Sequence, residues 1–334
     1  MEKSYILVVR LLLVCTFVTT GLCGCKKPQN PIKYAKGTFP DSIMNIDGLN
    51  SQYDDYNSTI YTLGSTFPII FSSNRGSTGG NFDLVQGEIS FQFDQTNGAF
   101  QMSGQMTNDP FFTSLLNKAN TADDDLGPYA FLCSTDGFEY IVLASQNGSV
   151  NLDLYYLKHL PYFAGLNPDI TGPFPVKVLN SEGNDAYLSL NSGQDTAFFS
   201  SDRDGSFDIY YHPRTGGTAL DEWFNLDFTA SLKVDSVNSS SADRCPFVYD
   251  NIMVFASDRP GGLGGYDLYY SLFRNGRWGS PVNFGPGINS SNDEFRPIVG
   301  SNSSFTNKFI IFSSNRPGGK GGYDLYFTGF SFDK

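Results

Sequence analysis

The stretch Phe312–Tyr326, FSSNRPGGKGGYDLY, decides the fold because four related stretches precede it in the chain. They are FSSNRGSTGGNFDLV (71–85), LASQNGSVNLDLYY (143–156), FSSDRDGSFDIYY (199–211) and FASDRPGGLGGYDLYYS (255–271). The aspartates of the five copies are separated by steps of 70, 55, 59 and 57 residues. These aspartates are Asp83, Asp153, Asp208, Asp267 and Asp324. A recurrence at this spacing is typical of a repeat architecture.

A second element precedes each copy and places an acidic residue six positions after its first residue. Its versions are LNSQYDD, ANTADDD, LNSEGND, VNSSSAD and INSSNDE. The acidic residues are Asp55, Asp125, Asp185, Asp243 and Glu294. Five copies of a two-part unit indicate a fivefold repeat.

Each unit has the pattern of four short strands. The acidic turn leads into an apolar strand such as PIVG, and a strand such as KFIIFSS, the Gly-rich turn, YDLYYS and RWGSPVNFG follow. Short apolar and aromatic runs bounded by Gly, Asn, Asp and Ser are typical of strands and hairpins. Such units stack radially into propeller blades. We therefore predict an all-β fold, a five-bladed β-propeller of four-stranded antiparallel blades.

The two ends of the chain complement each other. The last unit stops after its third strand, whereas GTFPDSIMNIDGLN (37–50) matches the fourth-strand segment GRWGSPVNFGPGIN (276–289). The N-terminal strand is therefore predicted to complete the C-terminal blade and close the ring, which leaves no bare sheet edge. Between the first and second blades, an insertion at 86–118 is predicted to form a hairpin and a short helix capped by Asp109, with Pro110 at its first position. The insertion is predicted either as part of a binding face or as an ordinary outer hairpin.

The first 24 residues have the pattern of a signal peptide. Lys3 and Arg10 flank YILVV and precede the apolar run LLLVCTFVTTGL, which is too short to span a bilayer as a mature helix. The run ends in LCGC, which resembles the lipobox of bacterial lipoproteins. The resemblance implies cleavage before Cys25, lipidation of Cys25 and anchoring at the outer membrane, on either face. The predicted organisation is a signal peptide (1–24), a lipid-anchored linker (25–36) and a single propeller (37–334).

Composition excludes some functions. The 334 residues carry a net charge of −12, which argues against a nucleic-acid partner. The chain has two histidines, and no nucleophile motif is evident, so we predict no enzyme and no cofactor. Cys133 and Cys245 fall in the second and fourth units and are predicted to be buried thiols.

The Gly-rich turn offers an Arg and an Asp that are predicted to pair across their own hairpin. The pairs are Arg75 with Asp83, Arg203 with Asp208, Arg259 with Asp267, and Arg316 with Asp324. The second copy has Asn147 in place of the Arg. A calcium β-roll does not fit, because the Asp comes one residue late for its loop, and no helix follows to form a phosphate cradle. The turn is therefore predicted to be structural.

The five acidic residues at 55, 125, 185, 243 and 294 each precede an innermost strand, so they are predicted to lie at one height near one mouth of the ring. Like charges brought together in this way repel each other. Two hypotheses follow. Each acid caps a turn between blades, or the acids form a candidate binding site for a divalent cation or a cationic partner.

Three of the repeated motifs resemble those of a known family. FSSNRPGGKGGYDLY, W-x-x-P-V-N-F-G and I-N-S-S-x-D-E-x-x-P resemble the WD40-like propeller repeat of the TolB type, most closely that of envelope lipoproteins of Bacteroidota. The resemblance implies a non-catalytic, lipid-anchored scaffold that binds an outer-membrane protein complex for transport, secretion or assembly.

The alternative is a glycan-binding or glycan-cleaving surface lipoprotein, because five-bladed propellers include glycosidases with carboxylates near the axis. Exposed aromatic residues on a concave face would favour the glycan alternative. An apolar patch on the rim or on the insertion would favour the scaffold.

Overall fold

The computed structural model describes residues 31–61, 66–162, 168–214, 217 and 219–331. The predicted signal peptide and Cys25 lie outside the described residues. Two short helices, α1 (Pro110–Ala119) and α2 (Leu220–Phe224), lie between strands. Within the described ranges, no helix has the length and apolar character that a membrane span requires.

The described strands form five antiparallel sheets. They are β1 (Met44–Asn45), β2 (Asp55–Ile60), β3 (Thr66–Ser73), β4 (Asp83–Phe93), β5 (Phe100–Met106), β6 (Asp125–Leu132), β7 (Glu139–Ser145), β8 (Asp153–His159), β9 (Thr171–Pro175), β10 (Asp185–Leu190), β11 (Thr196–Ser201), β12 (Asp208–Pro213), β13 (Leu232–Lys233), β14 (Asp243–Tyr249), β15 (Ile252–Ser257), β16 (Asp267–Arg274), β17 (Arg277–Trp278), β18 (Val282–Asn283), β19 (Glu294–Ser301), β20 (Lys308–Ser314) and β21 (Asp324–Phe330).

Each sheet is one blade. The strand orders are β2–β3–β4–β5, β6–β7–β8–β9, β10–β11–β12–β13, β14–β15–β16–β17 and β19–β20–β21–β1, and β18 also pairs with β16. The innermost strands β2, β6, β10, β14 and β19 contact one another in turn, and β19 contacts β2. The predicted five-bladed propeller of four-stranded blades is confirmed.

Strands from both ends of the chain meet in blade 5. In β1, Met44 lies opposite Phe327 and Asn45 lies opposite Tyr326 of β21. Upstream of β1, Phe39 is buried and its ring stacks on Phe305 with centroids 3.8 Å apart. The outer edge of the last blade is therefore covered by main-chain pairing and by aromatic packing.

One hydrogen bond recurs at every joint between blades, including the joint that closes the ring. The amide of the first residue of each inner strand donates to a carbonyl just before the third strand of the preceding blade, at 2.7–2.8 Å. The five donor–acceptor pairs are Asp55–Tyr323, Asp125–Phe82, Asp185–Leu152, Asp243–Phe207 and Glu294–Tyr266. The repeated sequence units are therefore repeated structural joints.

All five inner strands also contain a β-bulge two residues after the acid. The bulged residues have left-handed φ angles between 44° and 61°. They are Asn57, Gly127, Tyr187, Cys245 and Arg296. The bulge shifts the strand register. Bulge residues of different blades meet, because Arg296 Nη2 lies 3.5 Å from the carbonyl oxygen of Gly127 and Arg296 Cζ lies 5.5 Å from the ring centroid of Tyr187, which indicates that they surround the propeller axis.

The insertion 86–118 contains the predicted hairpin and helix. Asp109 caps α1 by accepting the amide hydrogens of Phe111 and Phe112 at 2.9 and 3.2 Å. The apolar side chains of α1, such as Leu115, are buried against blades 1 and 2. Of the large apolar side chains of this described segment, only Met106 is exposed, and Phe93, Phe100 and Met102 are partly buried.

Candidate functional site

The five acidic residues predicted at the mouth are sealed inside their own blades. Each is 0% exposed. In four blades an Arg of the Gly-rich turn donates to the acid from Nη2 at 2.5–2.8 Å. These pairs are Arg75–Asp55, Arg203–Asp185, Arg259–Asp243 and Arg316–Glu294. Buried charge-assisted hydrogen bonds of this kind fix geometry, and they leave these carboxylates closed to solvent.

The predicted pairing of each Arg with the Asp of its own hairpin is therefore wrong. In blade 5, Arg316 Nε donates to Ser314 Oγ at 3.1 Å and Nη2 donates to the carbonyl of Ile288 at 2.6 Å. These two bonds direct the guanidinium inward to Glu294. The same arrangement holds for Arg75, Arg203 and Arg259, so none of the pairs with Asp83, Asp208, Asp267 or Asp324 forms.

The Gly-rich turn instead wraps the aspartate that begins the third strand. Asp324 accepts the amide hydrogen of Lys320 at 2.5 Å, and a Cβ on Gly319 would lie 1.7 Å from its Oδ2. A Cβ on Gly321 would lie 1.8 Å from the carbonyl oxygen of Tyr53, in blade 1. Glycine is required at both positions because there is no room for a Cβ: Gly319 lies against the Asp of its own turn, and Gly321 lies against the backbone of the next blade.

Blade 2 departs from this pattern. Asn147 replaces the Arg, so Asp125 has no cationic partner and accepts the amide hydrogen of Thr121 at 2.6 Å. Burial raises the pKa of Asp125 to about 6. Burial also raises the pKa of Asp153, in the same blade, to about 6. We therefore expect Asp125 and Asp153 of blade 2 to take up protons near pH 6.

The acids do not form a metal centre. Across the described part of the chain, no three or more His, Cys, Asp or Glu side chains are arranged to hold a metal ion. The side chain of each acid accepts the amide hydrogen of the residue four positions before it, at 2.5–2.8 Å. The described residues therefore do not form the open acidic mouth predicted from the sequence, because the acids are hydrogen-bonded to turn residues and, in four blades, paired with an Arg.

Aromatic residues occupy the mouth instead. The residue before each hairpin Asp is partly exposed and is an aromatic in four of five blades. These residues are Phe82, Leu152, Phe207, Tyr266 and Tyr323. Their carbonyls bond to the first residue of the next inner strand, which brings them to the end of the ring where the inner strands begin. We call these five residues, with Tyr56 and Arg244, the axial mouth.

Contacts within the axial mouth are close. The Tyr56 ring lies 4.8 Å from that of Phe82 and 5.8 Å from that of Tyr323, centroid to centroid. The Arg244 guanidinium lies 3.8 Å from the Phe207 ring centroid and 5.8 Å from that of Tyr266. Arg244 Nε has no hydrogen-bond partner among the described residues. The mouth therefore presents aromatic surfaces with one cation held between them.

Three partly exposed carboxylates border the axial mouth. Each precedes a buried acid and accepts the amide hydrogen of a mouth aromatic at 2.8–2.9 Å. The pairs are Asp54 with Tyr323, Asp124 with Phe82, and Asp293 with Tyr266. Neither the mouth aromatics nor these three carboxylates were predicted from the sequence. The sequence does contain a signal for each: an aromatic residue directly before the hairpin Asp, and a second acidic residue directly before the buried acid.

A second concave surface lies between blades 3 and 4. This cleft has a volume of about 550 Å³ and is lined by the aromatic side chains of Tyr211, Phe273 and Trp278. Arg277 and Asp250 supply charge at its edge. It shares the mixed aromatic and polar character of the axial mouth but lies off the axis, on two blades only.

Comparison with known proteins gives the fold a context. No protein-family model matches the sequence, and no curated protein matches it. Among solved structures, a thermostable family-43 glycoside hydrolase is similar with a TM-score of 0.56 and 11% identity over 87% of this chain and 94% of that chain. An endo-arabinase from Bacteroides thetaiotaomicron has a TM-score of 0.54 and 14% identity over 89% and 98% of the two chains.

An exo-1,5-α-L-arabinanase from a bovine ruminal metagenomic library is similar at a TM-score of 0.53 and 10% identity, over 86% of this chain and 96% of that chain. The TM-scores, all above 0.5, show a shared fold. They concern chains of nearly the same extent as this one.

Two sequence predictions are wrong in the light of these comparisons. The similar structures are glycoside hydrolases and not TolB-type WD40-like repeat lipoproteins, so the resemblance and the non-catalytic scaffold drawn from it are overturned. The similar structures named above are enzymes, whereas the sequence predicted no enzyme. The resemblance rested on the Gly-rich turns and on the segments that join the blades. These motifs indicate how a blade is built, and they do not identify the family of the chain.

Proposed function

We propose that this chain is a glycan-active propeller that binds a saccharide at the axial mouth. The observation that carries the proposal is the group of partly exposed aromatic rings around the axis, with Arg244 between Phe207 and Tyr266. A sugar ring presents a C–H face that packs on aromatic surfaces and hydroxyl groups that bond to nearby polar side chains. Sites that combine an apolar lining with a few placed polar groups are typical of small-ligand recognition.

Arabinose-containing glycans are the first substrate class to test. The endo-arabinase and the exo-1,5-α-L-arabinanase that share the fold are named for activity on arabinan. The net charge of −12 disfavours strongly acidic polymers, so a neutral glycan fits the chain better.

Cleavage requires two carboxyl groups on either side of a glycosidic bond. The five buried acids are closed to solvent, so we propose Asp54 and Asp124 as the pair. Both are partly exposed and border the axial mouth. The pKa of Tyr56 is raised, first by burial and then by nearby groups that include the carboxylates of Asp124 and Asp54. This effect supports a position of both carboxylates close to the Tyr56 ring.

The cellular setting of the proposal comes from the sequence alone. It comprises lipidation at Cys25, an outer-membrane location, and contact with the membrane through the lipid. Association with an outer-membrane protein complex is a further sequence-based proposal. An anchored propeller of this kind would meet extracytoplasmic polysaccharide.

The test is calorimetric titration of the purified mature protein with arabino-, xylo- and cello-oligosaccharides, with chromatographic analysis of products. We expect binding of one series, and loss of that binding in Phe207→Ala and Arg244→Met. The matched variant Trp278→Ala alters the cleft between blades 3 and 4 and should bind as the wild type does. Binding lost in Trp278→Ala and kept in the mouth variants would move the site to the cleft, and no binding to any series would refute the proposal.

Cleavage is tested separately. If the bound series is hydrolysed, Asp54→Asn and Asp124→Asn should each abolish product formation while binding persists. Hydrolysis that survives both substitutions would exclude this pair.

A further inference from the structure

The inner strands place one equivalent residue each at the propeller axis, at the bulge. These five residues are Asn57, Gly127, Tyr187, Cys245 and Arg296. All are buried, and Arg296 is 0% exposed. Repeat-equivalent positions lie at one height around the axis of a propeller. One guanidinium thus lies at the centre of the ring, below the axial mouth and closed to solvent.

Arg296 is only partly satisfied by protein groups. Its Nη2 donates to the carbonyls of Pro128 at 3.2 Å and Gly127 at 3.5 Å. Its Cζ lies 5.5 Å from the ring centroid of Tyr187. Its Nε and Nη1 have no hydrogen-bond partner among the described residues. Two nitrogens of a buried cation, which carry three N–H groups, therefore have no acceptor among the described residues.

The charge of Arg296 also lacks an opposite charge. None of the ion pairs formed by the described residues includes it. The thiol of Cys245 lies beside it, but burial raises the pKa of this thiol to about 12, so Cys245 is neutral at pH 7. Arginine keeps its proton in proteins. An uncompensated buried cation is strongly destabilising unless an anion or hydrogen-bond acceptor meets it.

We propose that the axis holds a binding site for a small monoatomic anion of the halide class, coordinated by Nε and Nη1 of Arg296. The Asn57 amide, which lies beside the Tyr187 hydroxyl but makes no hydrogen bond of normal geometry, supplies a further donor. The space is narrow, because a Cβ on Gly127 would lie 2.4 Å from Tyr187 Cδ1. A monoatomic anion therefore fits this position better than phosphate or sulfate.

The experiment compares thermal unfolding of the mature protein in sodium chloride, sodium bromide and sodium gluconate at equal ionic strength. Ligands that bind only the folded state raise Tm with concentration. We expect Tm to rise by about 2 °C for each tenfold increase in chloride or bromide above the dissociation constant, and not with gluconate. Arg296→Met should remove the halide effect, and Arg277→Met, an exposed arginine away from the axis, should keep it.

Diffraction decides the case if Arg296→Met fails to fold. Crystals of the wild-type protein grown in sodium bromide should show an anomalous peak within hydrogen-bonding distance of Arg296 Nε and Nη1. Absence of that peak, with equal Tm in halide and gluconate, would overturn the proposal and leave only water at the axis. A halide effect that persists in a folded Arg296→Met protein would overturn it as well.

Discussion

Arg316 donates to Glu294 at 2.8 Å and leaves Asp324, the acid of its own hairpin, to the amide hydrogen of Lys320. The bond joins the turn after the second strand of blade 5 to the start of its innermost strand. Because three further blades repeat it, each of these Gly-rich turns fastens an inner strand in place. The motif that looks like a ligand loop is a structural clamp.

This clamp predicts selective coupling in blade 5. Arg316→Met should destabilise the protein by about 3 kcal/mol, because it leaves the buried Glu294 carboxylate without its cation. In urea unfolding, a double-mutant cycle of Arg316 with Glu294 should give a coupling above about 1 kcal/mol. The cycle of Arg316 with Asp324 should give less than about 0.5 kcal/mol. The exposed Arg277→Met is the control, and equal couplings in the two cycles would contradict the clamp.

The lone acid of blade 2 predicts an unusual pH dependence. Burial raises the pKa of Asp125 to about 6, above its ordinary value of 3.8, so the folded state disfavours the charged form. Its contribution to stability is therefore present below about pH 4 and is lost as the pH rises through about 6. Asp125→Asn should be more stable than the wild type by about 3 kcal/mol at pH 8 and nearly equal to it at pH 4.

Asp185→Asn is the matched control for Asp125, since it removes the anion that pairs with Arg203. We expect it to lower the free energy of unfolding at pH 8. Urea unfolding at pH 4, 6 and 8 measures both variants. A loss of stability in Asp125→Asn at pH 8 would show that the carboxylate is compensated in the folded state.

Close approach at the Gly-rich turn predicts a strict requirement for glycine. Gly319→Ala places a Cβ against the Asp324 carboxylate, and Gly262→Ala does so at Asp267, with Cβ–Oδ2 distances of 1.7 and 2.4 Å. Each should lower the free energy of unfolding by about 1–3 kcal/mol. Gly287→Ala, whose Cβ would meet no atom within 4 Å, should change stability little. Similar losses at all three positions would point to backbone entropy as the cause.

The axial mouth predicts a measurable loss of saccharide affinity. Phe207 carries the Arg244 guanidinium on its ring at 3.8 Å, so Phe207→Ala removes a stacking surface and frees the cation. We expect the Kd of the bound oligosaccharide to rise about tenfold or more, which is 1.4 kcal/mol or more. Trp278→Ala serves as the control, with circular dichroism to verify folding. An unchanged Kd in Phe207→Ala would remove the mouth from the saccharide site.

The two propeller cysteines should be inert in the folded state. Cys133 and Cys245 are free thiols with 0% exposure. Because the thiolate is the reactive form, the burial-raised pKa of Cys245 further slows its alkylation. Intact-mass analysis after iodoacetamide treatment should show no adduct on either residue under native conditions and one on each in denaturant. Native labelling of Cys245 would contradict the closed axis.

Some of these features follow from the chain alone. The blade count follows from the recurrence at Asp83, Asp153, Asp208, Asp267 and Asp324, since each copy carries its own turn and strand pattern within about 60 residues. The helix cap at Asp109 is equally local. Signals of this kind are readable because the residues that interact are near each other in sequence.

Only the tertiary structure decided which acidic residue each Arg of the repeat pairs with. Arg316 is eight residues from Asp324 and 22 from Glu294, yet β19 and β20 place Glu294 opposite Ser314, and this register favours the distant acid. Ring closure alone brings Arg296 to the axis with residues from the other four blades. The sequence therefore determines the repeat and its joints, because these are local. The partner of each Arg, the aromatic mouth and the buried guanidinium depend on strand register and closure, which bring together residues far apart in the chain.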